Sequence, residues 1–114
     1  MTDTYKQLTT ELSATIGSIR KDIPDVMKGF SAMAGAALED GALSKKTKEM
    51  MALSIGIATH CRGCIGFHVK ALIALGITRE ELAELLGMAV YMGGGPSLMY
   101  AAEAMQAYEE FSAS

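Results

Sequence analysis

No basic arm or stripe runs through this chain. Its ten lysines and arginines are outnumbered by thirteen acids, and with the two signs interspersed the formal net charge is −3. Nothing here would neutralise a run of phosphates, so nucleic acid is not an expected partner. A secretory leader is not expected either. Met1-Thr2-Asp3-Thr4-Tyr5-Lys6-Gln7 is polar where a signal peptide would carry its apolar segment, which points to a cytoplasmic protein. The longest uncharged stretch, Leu85 to Ala102, is broken by Gly93-Gly94-Gly95-Pro96. A lipid-exposed helix would not tolerate that interruption at its centre, so no membrane span is expected. The same glycine run lacks the Lys-Ser/Thr of a phosphate loop and reads as a turn, one that could also let another backbone come close. No segment alternates strictly with β-branched enrichment, and no linker is long enough to divide the chain. The expectation is a single all-α domain over residues 1–114.

Cysteine and histidine are equally scarce, with two of each, but all four fall within His60-Cys61-Arg62-Gly63-Cys64-Ile65-Gly66-Phe67-His68. Thiol nucleophiles and imidazole bases gathered so closely are a redox or metal signature. In a reducing compartment a C-x-x-C pair points to catalysis or metal binding rather than to a structural staple.

Apolar residues, by contrast, make up half of the 114. A chain this short buries about two-thirds of its unfolded surface in one core. The excess must lie exposed or be covered by further copies, so a homo-oligomer is expected. About six helices can be traced. Tyr5, Leu8, Leu12, Ile16 and Ile19 form one apolar stripe on a first, surface helix. Asp22 and Pro24 start a second, ending near Asp40-Gly41, with Val26, Phe30, Met33 and Ala37 on its expected inner face. Ser44 caps a third, whose segment Met50 to Ala58 is apolar on nearly all sides, as befits a central helix. Gly63 offers a turn into a fourth, carrying Cys64, Phe67, Val69, Ala71, Leu72 and Leu75 and ended by Gly76. Thr78-Arg79-Glu80-Glu81 is a capping box for a fifth, with Leu82, Leu85, Leu86, Ala89 and Met92 on its buried side. Leu98, Ala101, Met105 and Tyr108 stripe the sixth. The nine methionines read as adaptable core and interface filling, and the run Lys45, Lys46, Lys48, unfavourable near a helix start, reads as solvated.

Two cysteines three positions apart bring their α-carbons to roughly 5–6 Å, close enough for a disulfide. If Cys64 lies in the first turn of the fourth helix, unpaired backbone N–H groups and the positive dipole end favour its thiolate. His68, four positions later, is its stacked neighbour and could take the thiol proton. Such an imidazole needs a partner to fix its tautomer. Glu49, the acid that opens the apolar run Met50-Met51-Ala52-Leu53, is the candidate, because a carboxylate facing a packed interior is costly unless it meets a proton or a cation. Glu49 lies about 16 Å from His60 along one straight helix, out of reach. A fourth helix folded back antiparallel would instead carry His68 down to it.

Three segments together resemble the carboxymuconolactone decarboxylase superfamily, and more narrowly its alkylhydroperoxidase D-like branch. They are Leu43-Ser44-Lys45-Lys46-Thr47-Lys48-Glu49-Met50, Cys61-Arg62-Gly63-Cys64-Ile65-Gly66-Phe67-His68 and Ala74-Leu75-Gly76-Ile77-Thr78-Arg79-Glu80-Glu81-Leu82. The match covers about residues 43–92. The resemblance implies an all-helical protomer assembling into a ring, a trimer or hexamer, and an antioxidant activity of thiol-based hydroperoxide reduction without cofactor or bound metal. It further implies Cys64 as the peroxidatic thiol, Cys61 as the resolving one, Glu49 and His68 as the proton relay, and a dithiol or lipoyl protein as reductant. One departure is visible: members of that branch carry a histidine just before the second cysteine, where this chain has Gly63, and His60 precedes the first cysteine instead.

Rival readings remain. Zinc on Cys61, Cys64, His68 and His60 would use soft ligands, but four within nine residues struggle to surround a tetrahedral ion. Haem attachment fails because Ile65 stands where histidine is required. His60 suits the end of a helix, where the dipole favours it. A lyase acting through Glu49 and His68, or a non-redox oligomeric binding protein, would keep the same fold.

Overall fold

The computed structural model describes residues 4–113; Met1 to Asp3, the first part of the polar opening, lie outside the described residues. Six helices follow one another: α1 (Tyr5–Asp22), α2 (Pro24–Ala37), α3 (Lys45–Ala58), α4 (Arg62–Ala74), α5 (Arg79–Gly93) and α6 (Gly95–Ser112). No strand occurs among the described residues, so the all-α expectation holds.

Helices α1, α3, α4 and α5 start at a residue whose side chain caps them, while α2 and α6 carry a proline in the first turn and no side-chain cap. Ser44 Oγ accepts the Thr47 amide at 3.1 Å at the head of α3. At α5 the Thr78 hydroxyl accepts the Glu81 amide while the Glu81 carboxylate accepts the Thr78 amide, the reciprocal arrangement the sequence announced. Thr4 and Gln7 make a second such box at α1, which the sequence reading did not find. The glycine run is compressed to one residue, Gly94, whose φ of +74° separates α5 from α6.

Three helices surround α3, which packs on α4, α5 and α6; α4 also packs on α6 and α1. Leu53, Ile57, Ile65, Leu72 and Leu82 are essentially sealed from solvent at this centre, each such side chain stabilising the fold by about 1.5–3 kcal/mol. Several sequence expectations are corrected. The face of α2 bearing Val26, Phe30 and Met33 is not inner: these residues are 60–65% exposed and α2 buries nothing within the chain, because it packs along α1 alone. Met51 and Ile55 on α3, Met92 on α5 and Leu98 on α6 are likewise exposed, since a helix flanked on three sides still has a fourth. The first helix lies on the surface as expected, with most of its residues exposed. Its Tyr5 and Thr9 are buried against Gly66 of α4, where an added Cβ would lie 2.7 Å from Thr9 Cγ2.

Candidate active site

The connection from α3 to α4 is a tight turn, and Gly63 does not make it. His60 does, with a φ of +59°, a left-handed conformation that costs a non-glycine residue about 1–2 kcal/mol. Two backbone bonds close the turn, His60 N–H to Ile57 O at 3.1 Å and Cys61 N–H to Gly56 O at 2.9 Å. The imidazole of His60 lies flat on the Tyr100 ring of α6, centroids 4.6 Å apart and planes 6° from parallel. Gly63 sits inside α4, where an added Cβ would come within 3.0 Å of Leu12 Cδ1. It serves the approach of α1.

Cys61 is thereby the N-cap of α4 and Cys64 lies in the first turn. The two are joined as a disulfide, with α-carbons 5.2 Å apart, and the Cys64 amide points at Cys61 Sγ at 3.2 Å. Both are half-buried. The first-turn N–H groups and the positive end of the helix dipole favour negative charge at these sulfurs when the bond is opened. Across from Cys64 stands Gly56 of α3, whose hypothetical Cβ would be 3.0 Å from Cys64 Cβ. This glycine lets α3 and α4 close together at the sulfur, a role nothing in its apolar run had signalled.

One turn further along α4, His68 Nδ1 lies 2.6 Å from Glu49 Oε1. The antiparallel return of α4 has carried the imidazole down α3 to the carboxylate, the arrangement the sequence could offer only on condition of that fold. Glu49 is 5% exposed, while the His68 side chain is 30% exposed, so the carboxylate anchors the ring from within and the ring's far edge faces outward. In the tautomer that donates Nδ1–H to the carboxylate, Nε2 would carry the lone pair on the outward edge of the ring.

A second polar group reaches the same turn from the other side. Arg62 Nε donates to Glu103 Oε1 of α6 at 3.0 Å, and the Tyr5 hydroxyl donates to the same oxygen at 2.6 Å. The guanidinium carbon lies 5.1 Å from the centre of the Tyr5 ring. Burial first, and the Glu103 carboxylate second, push the Tyr5 hydroxyl above the ordinary tyrosine range, so it remains a donor. This network walls an open groove of about 670 Å³ with Gln106 along its side. Sequence reading missed it, because Tyr5 and Glu103 are 98 positions apart and carry no shared pattern. The lysine run was misread in part: Lys46 Nζ contacts both Glu81 oxygens at 2.9 and 3.0 Å, tying α3 to α5, and Lys48 Nζ donates to Glu39 O at 2.6 Å.

The Cys61–Cys64 disulfide thus sits at the head of α4 and the Glu49–His68 pair one turn further on, while His60 is turned to α6. Among the described residues no group of three or more His, Cys, Asp and Glu is disposed to hold a metal ion. The tetrahedral set considered above is dispersed: the sulfurs bond each other, His68 faces Glu49 and His60 stacks on Tyr100. No helix among the described residues is long and apolar enough to cross a membrane.

Relatives match this chain over most of their length. A solved apo structure of a carboxymuconolactone decarboxylase family protein from Legionella pneumophila superposes with a TM-score of 0.93 at 56% identity, covering 95% of this chain and 96% of that one. A Thermotoga maritima protein of the same family, for which involvement in antioxidative response has been suggested, shares the fold at a TM-score of 0.79 and 24% identity, covering 90% and 91%. An uncharacterised protein of Cupriavidus necator is 34% identical across 99% of this chain and 100% of its own length, and one encoded in the cox locus of Paracoccus denitrificans is 31% identical across 86% and 88%. Residues 24–107 match the family as a whole, a span holding α2 to α5, most of α6 and every side chain of the cysteine, histidine and glutamate cluster. The chain belongs to the carboxymuconolactone decarboxylase family.

Proposed function

We propose that the chain is a thiol-dependent hydroperoxide reductase of the alkylhydroperoxidase D-like kind, cycling Cys61 and Cys64 between dithiol and disulfide. The observation that carries this reading is a disulfide in the first turn of α4 with an imidazole one turn away, held by a buried carboxylate. Cys64 is the peroxidatic thiol. As thiolate, its proton taken by His68 Nε2, it attacks one peroxide oxygen: an S–O bond forms, the O–O bond breaks, and the departing alkoxide takes a proton back from the imidazolium and leaves as an alcohol. Cys61 as thiolate then attacks Cys64 Sγ, forming the S–S bond while hydroxide leaves and is protonated to water. A dithiol or lipoyl protein reduces the pair by exchange, giving its two hydrogens to the cysteines and becoming a disulfide itself. Glu49 fixes the orientation of the His68 ring throughout and stabilises the imidazolium when it forms.

Gly63, in place of the histidine found in that branch, leaves Glu49–His68 as the relay of this site. The exposed apolar side chains of α2, α3 and α5 support self-association, consistent with a homo-oligomeric ring. The antioxidative suggestion made for the Thermotoga protein points in the same direction.

Mass spectrometry after one equivalent of organic hydroperoxide tests the assignment. Reduced wild type should lose two hydrogens, and Cys61→Ser should gain one oxygen as a trapped sulfenic acid. Hydroperoxide consumption by Cys64→Ser at the wild-type rate would overturn the roles. No dithiol-dependent turnover in wild type, together with retention of an acid or lactone, would move the reading to a lyase acting through Glu49 and His68.

A further inference from the structure

Neither the relay nor the hydroperoxide step uses Arg62, yet it occupies the first position between the two cysteines. Its side chain turns from the disulfide to Glu103 on α6, and the Glu103 oxygen it contacts also receives the hydroxyl of Tyr5 from α1. Three helices are thus joined at one carboxylate oxygen, one residue from Cys61. We propose that Arg62 and Glu103 are positioning residues that hold the first turn of α4 in the geometry of the closed disulfide and thereby set the reduction potential of the Cys61–Cys64 pair. The inference rests on Cys61–Cys64 being a redox pair that cycles.

Two physical effects act in the same direction. Cys61 is the N-cap and Arg62 the first helical residue, so tethering Arg62 to α6 restrains the residue that would swing away when the bond opens. Less freedom in the dithiol means a higher effective concentration of one sulfur at the other, which favours the disulfide. The second effect is electrostatic. A guanidinium carried by the residue next to Cys61 favours thiolates and so the reduced state, whereas Glu103 draws that charge toward α6 and offsets it. Removing the carboxylate loosens the turn and leaves the guanidinium uncompensated. Both consequences favour the dithiol.

Equilibration in glutathione buffers, followed by alkylation and mass spectrometry, reads the balance directly. Two glutathione thiols give two electrons and two protons to the protein disulfide, yielding the protein dithiol and glutathione disulfide. Glu103→Ala should shift this equilibrium toward the dithiol by about fivefold, as expected for a half-exposed charge-assisted pair, which is about 20 mV less negative for a two-electron couple. Glu103→Gln, which keeps the shape of the side chain, should shift it the same way by less. In an Arg62→Ala background, Glu103→Ala should add no further shift. A role for Glu103 confined to packing α6 would lower thermal stability without moving the potential, or would move it equally in both backgrounds; either result overturns the proposal. If the potential moves as expected but wild type consumes no hydroperoxide, the catalytic reading falls and this one stands. Wild-type turnover with an unmoved Glu103→Ala potential overturns this one alone.

Discussion

Helices α2 and α3 are each fourteen residues long, and α2, PDVMKGFSAMAGAA, looks the more apolar beside KKTKEMMALSIGIA. Their fates are opposite. α2 buries nothing within the chain, while α3 buries Leu53, Gly56, Ile57 and a carboxylate, Glu49. An apolar stripe expresses only a preference to leave water; which neighbour satisfies that preference depends on where the chain places the helix. α3 is enclosed by α4, α5 and α6, whereas α2 has α1 alone. The acid on the enclosed helix, Glu49, is held in a fixed geometry against His68, and the proposed relay is built on it.

The sharpest break in this contrast is chemical. Glu49→Gln on α3 should lower dithiol-dependent hydroperoxide turnover about a hundredfold or more, the scale of general acid–base assistance. Asp25→Asn, an acid in the first turn of α2, should leave it within about twofold, both measured as peroxide consumption at saturating reductant. Next comes packing. Leu53→Ala should cost about 2–5 kcal/mol in urea unfolding, and Met33→Ala less than about 0.5 kcal/mol in protein dilute enough to be monomeric. An equal cost at Met33 that grows with protein concentration would mean that further copies cover α2 in the assembly.

Two glycines sharpen the comparison further. At Gly56 an added Cβ meets Cys64 Cβ at 3.0 Å, while Gly29 of α2 has nothing within 4 Å. Gly56→Ala should destabilise by about 1–3 kcal/mol and slow closure of the disulfide after a reduced sample is oxidised. Gly29→Ala should stabilise by about 0.5–1 kcal/mol, since a helix interior favours alanine over glycine. The smallest effect belongs to the rim of α3. The Lys46 ammonium, and after it the Thr78 amide, hold the Glu81 carboxyl below the ordinary carboxylate range. A lowered folded-state value contributes stability that is full above the unfolded value and is lost as pH falls through the lowered one. Lys46→Met should therefore lower the Tm slightly at neutral pH, with the difference from wild type shrinking as acid titrates Glu81.

Much of the site was legible because its parts are close in sequence. Cys61, Cys64 and His68 lie on one helical turn after another, and their spacing fixes their common face once α4 is granted. Glu49 was legible as an acid out of place at the edge of an apolar run. The turn was misassigned to Gly63 because glycine is the usual left-handed residue; His60 takes that conformation while stacked on Tyr100 of α6, a partner 40 residues away. The Tyr5–Arg62–Glu103 network could not be read for the same reason: each member is an ordinary polar residue in its own helix.

What the sequence determined by itself is local. Caps at Ser44 and Thr78, breaks at Pro24, Gly76 and Gly94, and the register of two thiols and an imidazole all follow from interactions within a few residues, where chain connectivity sets the geometry. The tertiary structure decided which faces are covered, that α2 lies outside the core, that Gly56 admits Cys64, and that one oxygen of Glu103 joins three helices. Those depend on distances between segments far apart in the chain, which no local preference specifies and only the packing of the helices against one another resolves.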